Sequence, residues 1–496
     1  MRPVVDDDVA YFRSIGVVTE LADERRRRDW MDLYGTDEVS WVARPSTTLH
    51  VSRVLAYCFE QGICVTPQAG NTGLVGGSVP LSHELILSLD RMNSVSSFDP
   101  LSGVVVCEAG CTLAALDDHV KAHGHTVPLD LGPRDQCQIG GNIATNAGGL
   151  RFCRWGSLHG SVVGLEVVLA DKKGTVLDLG MAGLQKDNTG YDLKHLLIGS
   201  EGTLGVVTRC ALKCPILFKS VQLAWIRCAT FRDVLDALVR AKRVLGEILS
   251  AFECLDEESL RFARTVVDVD ESRLWKASEV AGECFIVIIE TRGSSAIHDR
   301  EKLGDLLAQV GQPAGLCGSE DLQRDVWKLR TSVSAGLKKS GVTFKYDISL
   351  PVGTMDDMLD ATRRRLQPLQ PLRDLQRLLV DHGAGEYARI CWFGHMLDGN
   401  VHLNVSCQPA HEAEVRRLLE PWVYEEVTRR HGSISSEHGI GCMKAAALAM
   451  TKDRPVMDLM RQVKALLDPK GIMNPGKLFA SLPTVGHRMV NTPPEK

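Results

Sequence analysis

Four glycine-dense segments near the start of the chain constrain its fold more than any other feature. They span residues 68–77, 139–149, 155–161 and 199–205. Each combines glycine with small residues and with Asn, Ser or Thr, so the backbone can approach a ligand closely and its N–H groups can surround a pyrophosphate. Tight surface turns explain any single segment equally well, but four segments in one region favour a large phosphate-bearing cofactor. No GxGxxG motif opens a helix after a strand, which disfavours a nicotinamide cofactor.

Predicted helices and strands alternate between and after these segments, which indicates an α+β fold. Residues 47–62 have the pattern of an amphipathic helix, and a second α+β unit is expected after Pro215. The predicted strands lie at residues 63–68, 85–90, 103–110, 164–171, 203–212, 221–229 and 284–291, and further helices are predicted at residues 230–246, 356–381 and 411–432. The last 20 residues are rich in proline and are expected to be frayed.

Length and charge set outer limits on what this chain can be. Its 496 residues exceed what one hydrophobic core supports, so two or three domains are expected. The net charge of -5 gives no electrostatic case for nucleic acid, and the four arginines at 25–28 are interpreted as a solvated helix face. No apolar stretch approaches the roughly 20 residues needed to span a bilayer. The fifteen scattered cysteines indicate reduced thiols rather than a disulfide framework.

Two histidines, His395 and His402, flank Asp398-Gly399, a dipeptide that favours a two-residue hairpin turn. In simple register that turn pairs His395 directly with His402, with Cβ atoms roughly 4.5–5.5 Å apart. Two imidazoles at that distance can share one metal ion, and Glu437 is the candidate carboxylate ligand; zinc accepts both ligand types. A single hairpin histidine is more often structural, but two in register, with Asn404 on the same strand face as His402, favour a metal site.

A cationic pair is predicted near this hairpin. Arg330 and Ser334 are four residues apart in a helical pattern and share one face. In the strand pattern of residues 342–350, Lys345 lies on the polar face, opposite the apolar face that carries Phe344 and Tyr346. A guanidinium and an ammonium that converge would suit a dicarboxylate, because arginine can bind one carboxylate through two N–H groups. A surface ion pair is the competing explanation.

The glycine segments and three later motifs together resemble a known family. The runs QAGNTGLVGGSVP, PLDLG, IGGNIATNAGG and GSEGTLG resemble the FAD-binding domain of the vanillyl-alcohol-oxidase / p-cresol methylhydroxylase superfamily of flavoproteins. The runs GHMLDGNVHLN, SSEHGIG and DPKGIMNPGK resemble its FAD-linked 2-hydroxy-acid dehydrogenase branch and, within it, the members that oxidise D-2-hydroxyglutarate. The resemblance covers roughly residues 38–480.

The resemblance implies an α+β fold with a two-subdomain FAD-binding domain of the p-cresol methylhydroxylase type, an α+β substrate (cap) domain, and a C-terminal segment that returns to the FAD domain. The expected boundaries are an N-terminal extension at 1–37, the FAD domain at 38–216, the substrate and metal domain at 217–431, the C-terminal segment at 432–480 and a frayed tail at 481–496.

FAD is expected to be bound non-covalently, because Asn71 stands where covalent members of the superfamily carry a histidine. The residues implied in FAD binding are Gln68, Ala69, Gly70, Asn71, Thr72, Gly73, Ser78, Gly140, Gly141, Asn142, Thr145, Asn146, Gly149, Gly156, Gly202 and Gly205.

The resemblance also assigns roles in the second half of the chain. His395, His402 and Glu437 match the ligands of Zn²⁺ or another divalent transition metal, and His438 matches the general base. The residues that match substrate contacts are Arg330, Ser334, Lys345 and Asn404. One departure is visible, since D-2-hydroxyglutarate members usually carry threonine where Ser334 stands; the hydroxyl is retained, so the change concerns affinity more than chemistry.

The implied reaction is metal-assisted oxidation of a D-2-hydroxy acid, in which His438 accepts the hydroxyl proton and flavin accepts the hydride. D-2-hydroxyglutarate, a dicarboxylic 2-hydroxy acid, is the expected substrate. One alternative is a D-lactate dehydrogenase of the same branch, and an alternative of another class is a flavin-binding interaction protein without turnover. An intact set of metal ligands with a base disfavours the non-enzyme.

Partners and location are expected from the family alone. An electron-transfer flavoprotein is the implied electron acceptor, and a homodimer is the assembly to be tested. The family suggests the mitochondrial matrix. The sequence opens with Asp6, Asp7 and Asp8, the wrong charge for a presequence, so the protein is expected either in the cytosol or with its presequence removed.

Overall fold

In the computed structural model, which describes residues 2–275, 284–366 and 388–480, the strands form three sheets. The first has the order β1-β2-β4-β3 and contains Val18–Leu21 (β1), Trp41–Arg44 (β2), Val65–Gln68 (β3) and Leu85–Ser88 (β4). The second has the order β5-β6-β9-β7-β8 and contains Val95–Asp99 (β5), Val104–Glu108 (β6), Val162–Val168 (β7), Val176–Leu179 (β8) and Val206–Lys213 (β9). One apolar core is shared by these two sheets and the helices packed on them.

The third sheet is antiparallel and belongs to the second half of the chain. Its order is β13-β10-β12-β11-β15-β16-β14, with Ser220–Cys228 (β10), Leu249–Asp256 (β11), Phe285–Gly293 (β12), Ala314–Leu316 (β13), Val342–Ser349 (β14), Ala388–His395 (β15) and Asn400–Cys407 (β16). Apolar residues are buried on both of its faces, in two separate clusters. Phe344, Tyr346 and Ile348 face one cluster, which confirms the predicted apolar face of β14 and leaves Lys345 and Asp347 on the other side.

Helices fill the intervals between the strands. In the described ranges they are Asp6–Ser14 (α1), Glu24–Arg27 (α2), Thr48–Gln61 (α3), Leu113–Lys121 (α4), Ile139–Ala144 (α5), Phe152–Trp155 (α6), Leu158–Ser161 (α7), Lys194–Leu197 (α8), Phe231–Val244 (α9), Glu257–Arg264 (α10), Ala296–Val310 (α11), Glu320–Ser340 (α12), Met355–Leu366 (α13), Glu412–Leu419 (α14), Trp422–Arg429 (α15), Ala445–Thr451 (α16) and Arg454–Leu467 (α17), with short 3₁₀ turns at Glu271–Arg273, Val352–Thr354 and Pro409–His411. The predicted α+β class is confirmed. No helix among the described residues is long and apolar enough to cross a membrane.

The prediction of one continuous helix at residues 411–432 is wrong. The structure has two helices, α14 and α15, with Glu420 and Pro421 between them. Proline has no amide hydrogen and its ring blocks the preceding turn, so it ends α14. Part of the helix predicted at 356–381, and the tail predicted to be frayed, lie outside the described residues.

The register predicted for the histidine hairpin is also wrong. His395 pairs with Asn400, and His402 pairs with Phe393, so the connection takes four residues, 396–399, instead of two. Because strand side chains alternate with a period of two, this shift still leaves both histidines on one face of the sheet. They are diagonal neighbours instead of directly opposed.

Two contacts explain the longer connection. Met396 is fully buried in the apolar core, and its backbone amide donates a hydrogen bond to the carbonyl of Phe252 on β11 at 3.0 Å. Asn400, at the start of β16, donates from its side chain to Asp347 Oδ1 at 2.8 Å. A two-residue turn would take both residues out of these positions.

The C-terminal segment returns to the first half of the chain, as predicted. Ile472 and Asn474 exchange backbone hydrogen bonds with Val65 of β3 at 2.9 and 2.8 Å. The amides of Ile440 and Gly441 donate to the buried Glu201 carboxylate at 2.7 and 2.6 Å. Residues that follow the third sheet in sequence therefore lie against the glycine segments.

Candidate active site

A cavity of about 1110 Å³ lies between the glycine segments and the third sheet. It exceeds the usual range for a drug-sized ligand, roughly 300–1,000 Å³, and leaves room for a large cofactor beside a small substrate. Of the residues predicted to bind FAD, those that line it are Gln68, Ala69, Gly70, Asn71, Thr72, Gly73, Ser78, Gly140, Gly141, Asn142, Thr145, Gly149, Gly202 and Gly205. Asn146 and Gly156 do not line it, and neither does any other residue of the third glycine segment.

Open backbone and unpaired polar atoms in this cavity fit a bound FAD. At Gly73 and Gly132, both in its wall, the position of a side-chain Cβ has no protein atom within 4 Å, so backbone is exposed to the cavity. Gln138 Oε1 and Asn142 Oδ1 are buried there without a hydrogen-bond partner. Buried polar atoms are normally paired, and a polar cofactor would supply these two with donors.

Asn71 has all of its side-chain hydrogen-bonding atoms engaged with protein. Its Nδ2 donates to the carbonyls of Arg25 and Arg28, each at 2.8 Å, and its Oδ1 accepts from Ser78 Oγ at 2.8 Å. The Asn71 side chain therefore holds the backbone of the arginine run at 25–28 against the first glycine segment. Two of those arginines are also ion-paired, Arg26 with Asp90 and Arg28 with Asp37, so the run is more than a solvated face.

Asp347 orients the segment that carries Glu437 and His438. Its Oδ2 accepts hydrogen bonds from the backbone amides of Ser436, Glu437 and His438 at 3.0, 2.8 and 2.8 Å. Burial alone would raise the pKa of Asp347, but the nearby positive groups and these amides hold it well below its usual value. A fixed anion on the polar face of β14 thus presents two adjacent functional side chains to the cavity.

Glu437 joins this segment to the cofactor side of the cavity. Its Oε2 accepts from the backbone amide of Gly149 at 2.6 Å, and its Oε1 lies 3.6 Å from His402 Nε2 and 3.9 Å from His438 Nε2. Potential ligand atoms of Asp347, His402, Glu437 and His438 all lie within 4.8 Å of one another. These imidazole and carboxylate donors fit a divalent transition metal.

The histidine predicted as a third ligand, His395, lies beside this group. Its ring centroid is 5.5 Å from that of His402. Its Nδ1 contacts Glu253 Oε1 at 2.6 Å, and because a carboxylate can only accept, Nδ1 carries the proton. Nε2 is then the atom available to a metal, which is the arrangement usual for metal-ligating histidines.

The electrostatics of the two histidines differ. Burial alone would lower the pKa of His395, but the adjacent Glu253 carboxylate raises it to about 9. Burial lowers the pKa of His402 well below its ordinary value, and the neighbouring cations add to this effect. His402 is therefore neutral at pH 7. The His395 ring carries both N–H protons at pH 7 and must lose the Nε2 proton before Nε2 can bind a metal.

The predicted substrate residues converge on the same cavity. Arg330, Ser334, Lys345 and Asn404 all line it, and the first two lie on α12 as predicted. Burial lowers the pKa of Lys345, and in the part of the chain that the structure describes its ammonium has no hydrogen bond or ion pair with another side chain. Lys338, one helical turn beyond Ser334, also lines the cavity.

Sequence reasoning missed three of these residues. Asp347 had a signal, since it lies two residues from Lys345 on the polar face of the same strand pattern. Glu253 had a weaker signal, an acid within the apolar strand pattern of residues 249–256. Lys338 continues the i, i+4 series of Arg330 and Ser334 and could have been found by extending it.

Comparisons with known proteins identify the family of this chain. Residues 39–180 match the family described as "FAD binding domain", and residues 218–478 match "FAD linked oxidases, C-terminal domain". A relative from Bos taurus named mitochondrial D-2-hydroxyglutarate dehydrogenase is 44% identical over 486 residues, which cover 96% of this chain and 84% of the relative. A Schizosaccharomyces pombe relative, named provisionally as a mitochondrial D-lactate dehydrogenase, is 40% identical and covers 90% of this chain and 83% of its own length.

A solved structure agrees with the fold. The crystal structure of p-cresol methylhydroxylase with substrate bound matches with a TM-score of 0.72 and covers 96% of this chain and 98% of that one. Sequence identity is 13%, so the match bears on the fold alone. The predicted p-cresol methylhydroxylase type of fold is confirmed.

Proposed function

This chain belongs to the family of FAD-linked oxidoreductases that contains the D-2-hydroxyglutarate dehydrogenases, and on that premise we propose that it oxidises D-2-hydroxyglutarate to 2-oxoglutarate. The observation that carries the proposal is a single cavity that Arg330 and Lys345 line together with His395, His402, Glu437, His438 and the glycine segments. One end of such a site suits an anionic substrate, and the other suits a flavin.

His395, His402 and Glu437 would hold the metal, and the glycine segments would hold FAD non-covalently. When bound, FAD supplies the acceptor for two electrons, and the divalent metal supplies positive charge that favours loss of the substrate's hydroxyl proton. The assignment of His395 is supported by its Nδ1–H bond to Glu253, which leaves Nε2 available. The non-covalent mode is supported by the engaged side chain of Asn71, which is an amide and not a histidine.

His438 would accept the hydroxyl proton at Nε2. The ring lies between two carboxylates, with Nδ1 at 3.9 Å from Asp347 Oδ2 and Nε2 at 3.9 Å from Glu437 Oε1. Asp347 also fixes the backbone of His438 through its amide, which holds the ring in position.

The two substrate carboxylates would be divided between the two cations. Arg330 uses Nε and Nη2 to bind Glu253, and its remaining guanidinium donors are available to a carboxylate. Lys345 is a half-buried ammonium without an ion pair among the described residues, so a distal carboxylate would satisfy a charge that is costly to leave alone. Ser334 and Asn404 add polar contacts from α12 and β16.

The D-lactate alternative, which the S. pombe relative keeps open, is tested by comparing substrates. We expect kcat/KM for D-2-hydroxyglutarate to exceed that for D-lactate by at least roughly 10²-fold, because the shorter acid leaves a desolvated cation unpaired. The measurement is steady-state reduction of a dye acceptor by the purified holoenzyme. Equal kcat/KM for the two acids would contradict the dicarboxylate assignment and favour the lactate alternative.

Variants then separate the two carboxylate contacts. Loss of activity confined to the dicarboxylate marks the distal contact, which we expect for Lys345→Ala, and loss on both acids marks the proximal contact, which we expect for Arg330→Ala. Lys339→Ala is the control, because Lys339 lies on helix α12 with Arg330, donates to the Thr265 carbonyl at 3.0 Å and does not line the cavity.

Partners and location follow as proposals. The bovine and fission-yeast relatives are both named as mitochondrial, which supports a mitochondrial location for this chain. An electron-transfer flavoprotein as the acceptor and a homodimer as the assembly remain predictions from the family.

A further inference from the structure

Glu253 is a buried carboxylate that the reaction described above does not use. It lies on β11, and only 1% of its side chain is exposed. Both oxygens of its carboxylate contact cationic or N–H donor groups of other side chains. An ionised group is expensive to bury unless it is fully paired, so its partners explain why it is retained in the apolar interior of the sheet.

Both partners of Glu253 are side chains of the candidate site. Oε1 accepts from His395 Nδ1 at 2.6 Å. Oε2 accepts from Arg330 Nε at 2.9 Å and contacts Arg330 Nη2 at 2.7 Å. One oxygen of the Glu253 carboxylate therefore contacts a residue assigned to the metal, and the other oxygen contacts a residue assigned to a substrate carboxylate.

Each contact fixes a property that its partner needs. The bond to Nδ1 sets the tautomer and ring angle of His395, so that Nε2 faces the cavity. The bond to Nε and Nη2 takes up one edge of the Arg330 guanidinium and directs its free donors into the cavity. The Phe393 ring, whose centroid is 4.5 Å from the guanidinium carbon, supports the same orientation.

We propose that Glu253 is a positioning residue that sets the distance and angle between the metal ligand His395 and the substrate-binding Arg330, so that metal affinity and substrate affinity depend on one carboxylate. The inference rests on the proposed function, since it takes the roles of both partners from it. Glu253 touches neither substrate nor cofactor and acts only through its two neighbours.

Glu253→Gln tests the proposal with little change in volume. A glutamine amide has one acceptor oxygen and one NH₂ group, so either His395 or Arg330 would meet a donor instead of an acceptor. We expect the resting holoenzyme to lose metal to a chelator roughly 10–100-fold more readily, measured as bound metal per chain. We also expect KM for D-2-hydroxyglutarate to rise by at least about tenfold, whereas a purely structural role would leave both values unchanged.

Glu290→Gln is the matched control. Glu290 lies on the adjacent strand β12, has 1% of its side chain exposed and is paired with Arg151 and Arg292, but it contacts neither His395 nor Arg330. We expect this variant to lower the melting temperature to a similar extent while metal retention and KM stay at wild-type values. If Glu290→Gln changed metal retention and KM as much as Glu253→Gln, the effect would be a general cost of neutralising a buried carboxylate, and the proposal would be overturned.

Glu253→Asp covers the case in which the glutamine variant does not fold. It keeps the buried charge but shortens the side chain by one methylene, so the two contacts cannot both be kept at their present distances. Metal retention and KM should again worsen together, and wild-type values for both would overturn the proposal. If the proposed function itself is wrong, the unmodified enzyme will bind no metal or will not oxidise D-2-hydroxyglutarate, and this result is distinct from wild-type values in the variants.

Discussion

The neighbouring residues Glu437 and His438 share one buried anchor, the Asp347 carboxylate, which accepts from both of their amides. Because the backbone is held at this point, both side chains keep fixed positions in the cavity wall. Glu437 accepts from the Gly149 amide and lies near His402, and His438 Nε2 lies 3.9 Å from Glu437 Oε1. Their separate assignments as ligand and base can be tested one side chain at a time.

His438→Ala should reduce kcat by roughly 10²–10⁴-fold, the usual contribution of a positioned general base, and should leave metal content unchanged. Steady-state kinetics and elemental analysis of the same preparation measure both effects. His119→Ala, which removes an exposed histidine on α4, is the control. Loss of metal in the His438 variant would make His438 a ligand, as its place in the four-residue group allows, and the assignment of His395 would need revision.

The placement of site residues could be predicted from sequence where a motif or a periodicity indicated it, whereas their roles remain predictions. Arg330 and Ser334 at i, i+4, and Lys345 on the polar face of its strand, line the cavity as their patterns suggested. Glu253 could not be found in this way. Its proposed role depends on two partners that are 77 and 142 residues away, and a single acidic residue in an apolar strand does not identify them.

At the scale of single elements, helix α9 shows how local sequence fixes a boundary. Thr230 accepts from the amide of Asp233, and the Asp233 side chain accepts from the amide of Thr230, a reciprocal capping box. The apolar side of the helix, with Val234 and Leu238, is buried in the core of the third sheet. The cap and the apolar stripe together explain why this helix was predicted correctly.

Thr230→Ala should lower the free energy of unfolding by about 0.5–2 kcal/mol, the usual cost of losing an N-terminal cap. Denaturant titration measures this free energy of unfolding, from the transition in which the third sheet unfolds. Thr230→Ser retains the hydroxyl and should stay close to the wild-type value. Activity at 25 °C should be unchanged in both variants, since α9 does not line the cavity. Equal destabilisation by alanine and serine would show that the hydroxyl cap is not the cause.

The hairpin shows where element-level prediction fails. Asp398-Gly399 favours a turn, and a turn forms there, but its length is decided by the burial of Met396 and by the bond from Asn400 to Asp347. Neither contact is local in sequence. The prediction therefore rested on turn propensity alone, which favours the shorter connection. The shared face of the histidines could be predicted because it depends only on strand periodicity.

At the scale of the whole molecule, the proposed metal ligands and the glycine segments line one cavity but come from different parts of the chain. Chelation should therefore abolish turnover while FAD stays bound, because, apart from the contact of Glu437 with the Gly149 amide, the proposed metal ligands lie outside the glycine segments. The visible flavin spectrum before and after dialysis measures retention, and later denaturation should release FAD into solution. Full activity in a metal-free preparation would contradict the claim that turnover needs a metal. Flavin that stays with the precipitated chain would contradict the claim that FAD is bound non-covalently.

The α+β class and the FAD-binding region could be predicted because the glycine segments are long and ordered along the chain. The strand order of the third sheet could not, since β14 and β15 both flank β16, and β11 joins β15 across more than a hundred intervening residues. Strand pairing at such separations leaves no local pattern. The predicted domain boundaries remain predictions.

The bond between Glu437 Oε2 and the Gly149 amide spans 288 residues of sequence. During synthesis the glycine segments emerge first and can begin to fold while the third sheet is still being made. The candidate site, however, lacks Glu437 and His438, its proposed ligand and base, until residue 438 has left the ribosome. An incomplete chain could thus hold flavin without oxidising a hydroxy acid, which keeps nascent protein catalytically silent until almost all of it has been translated.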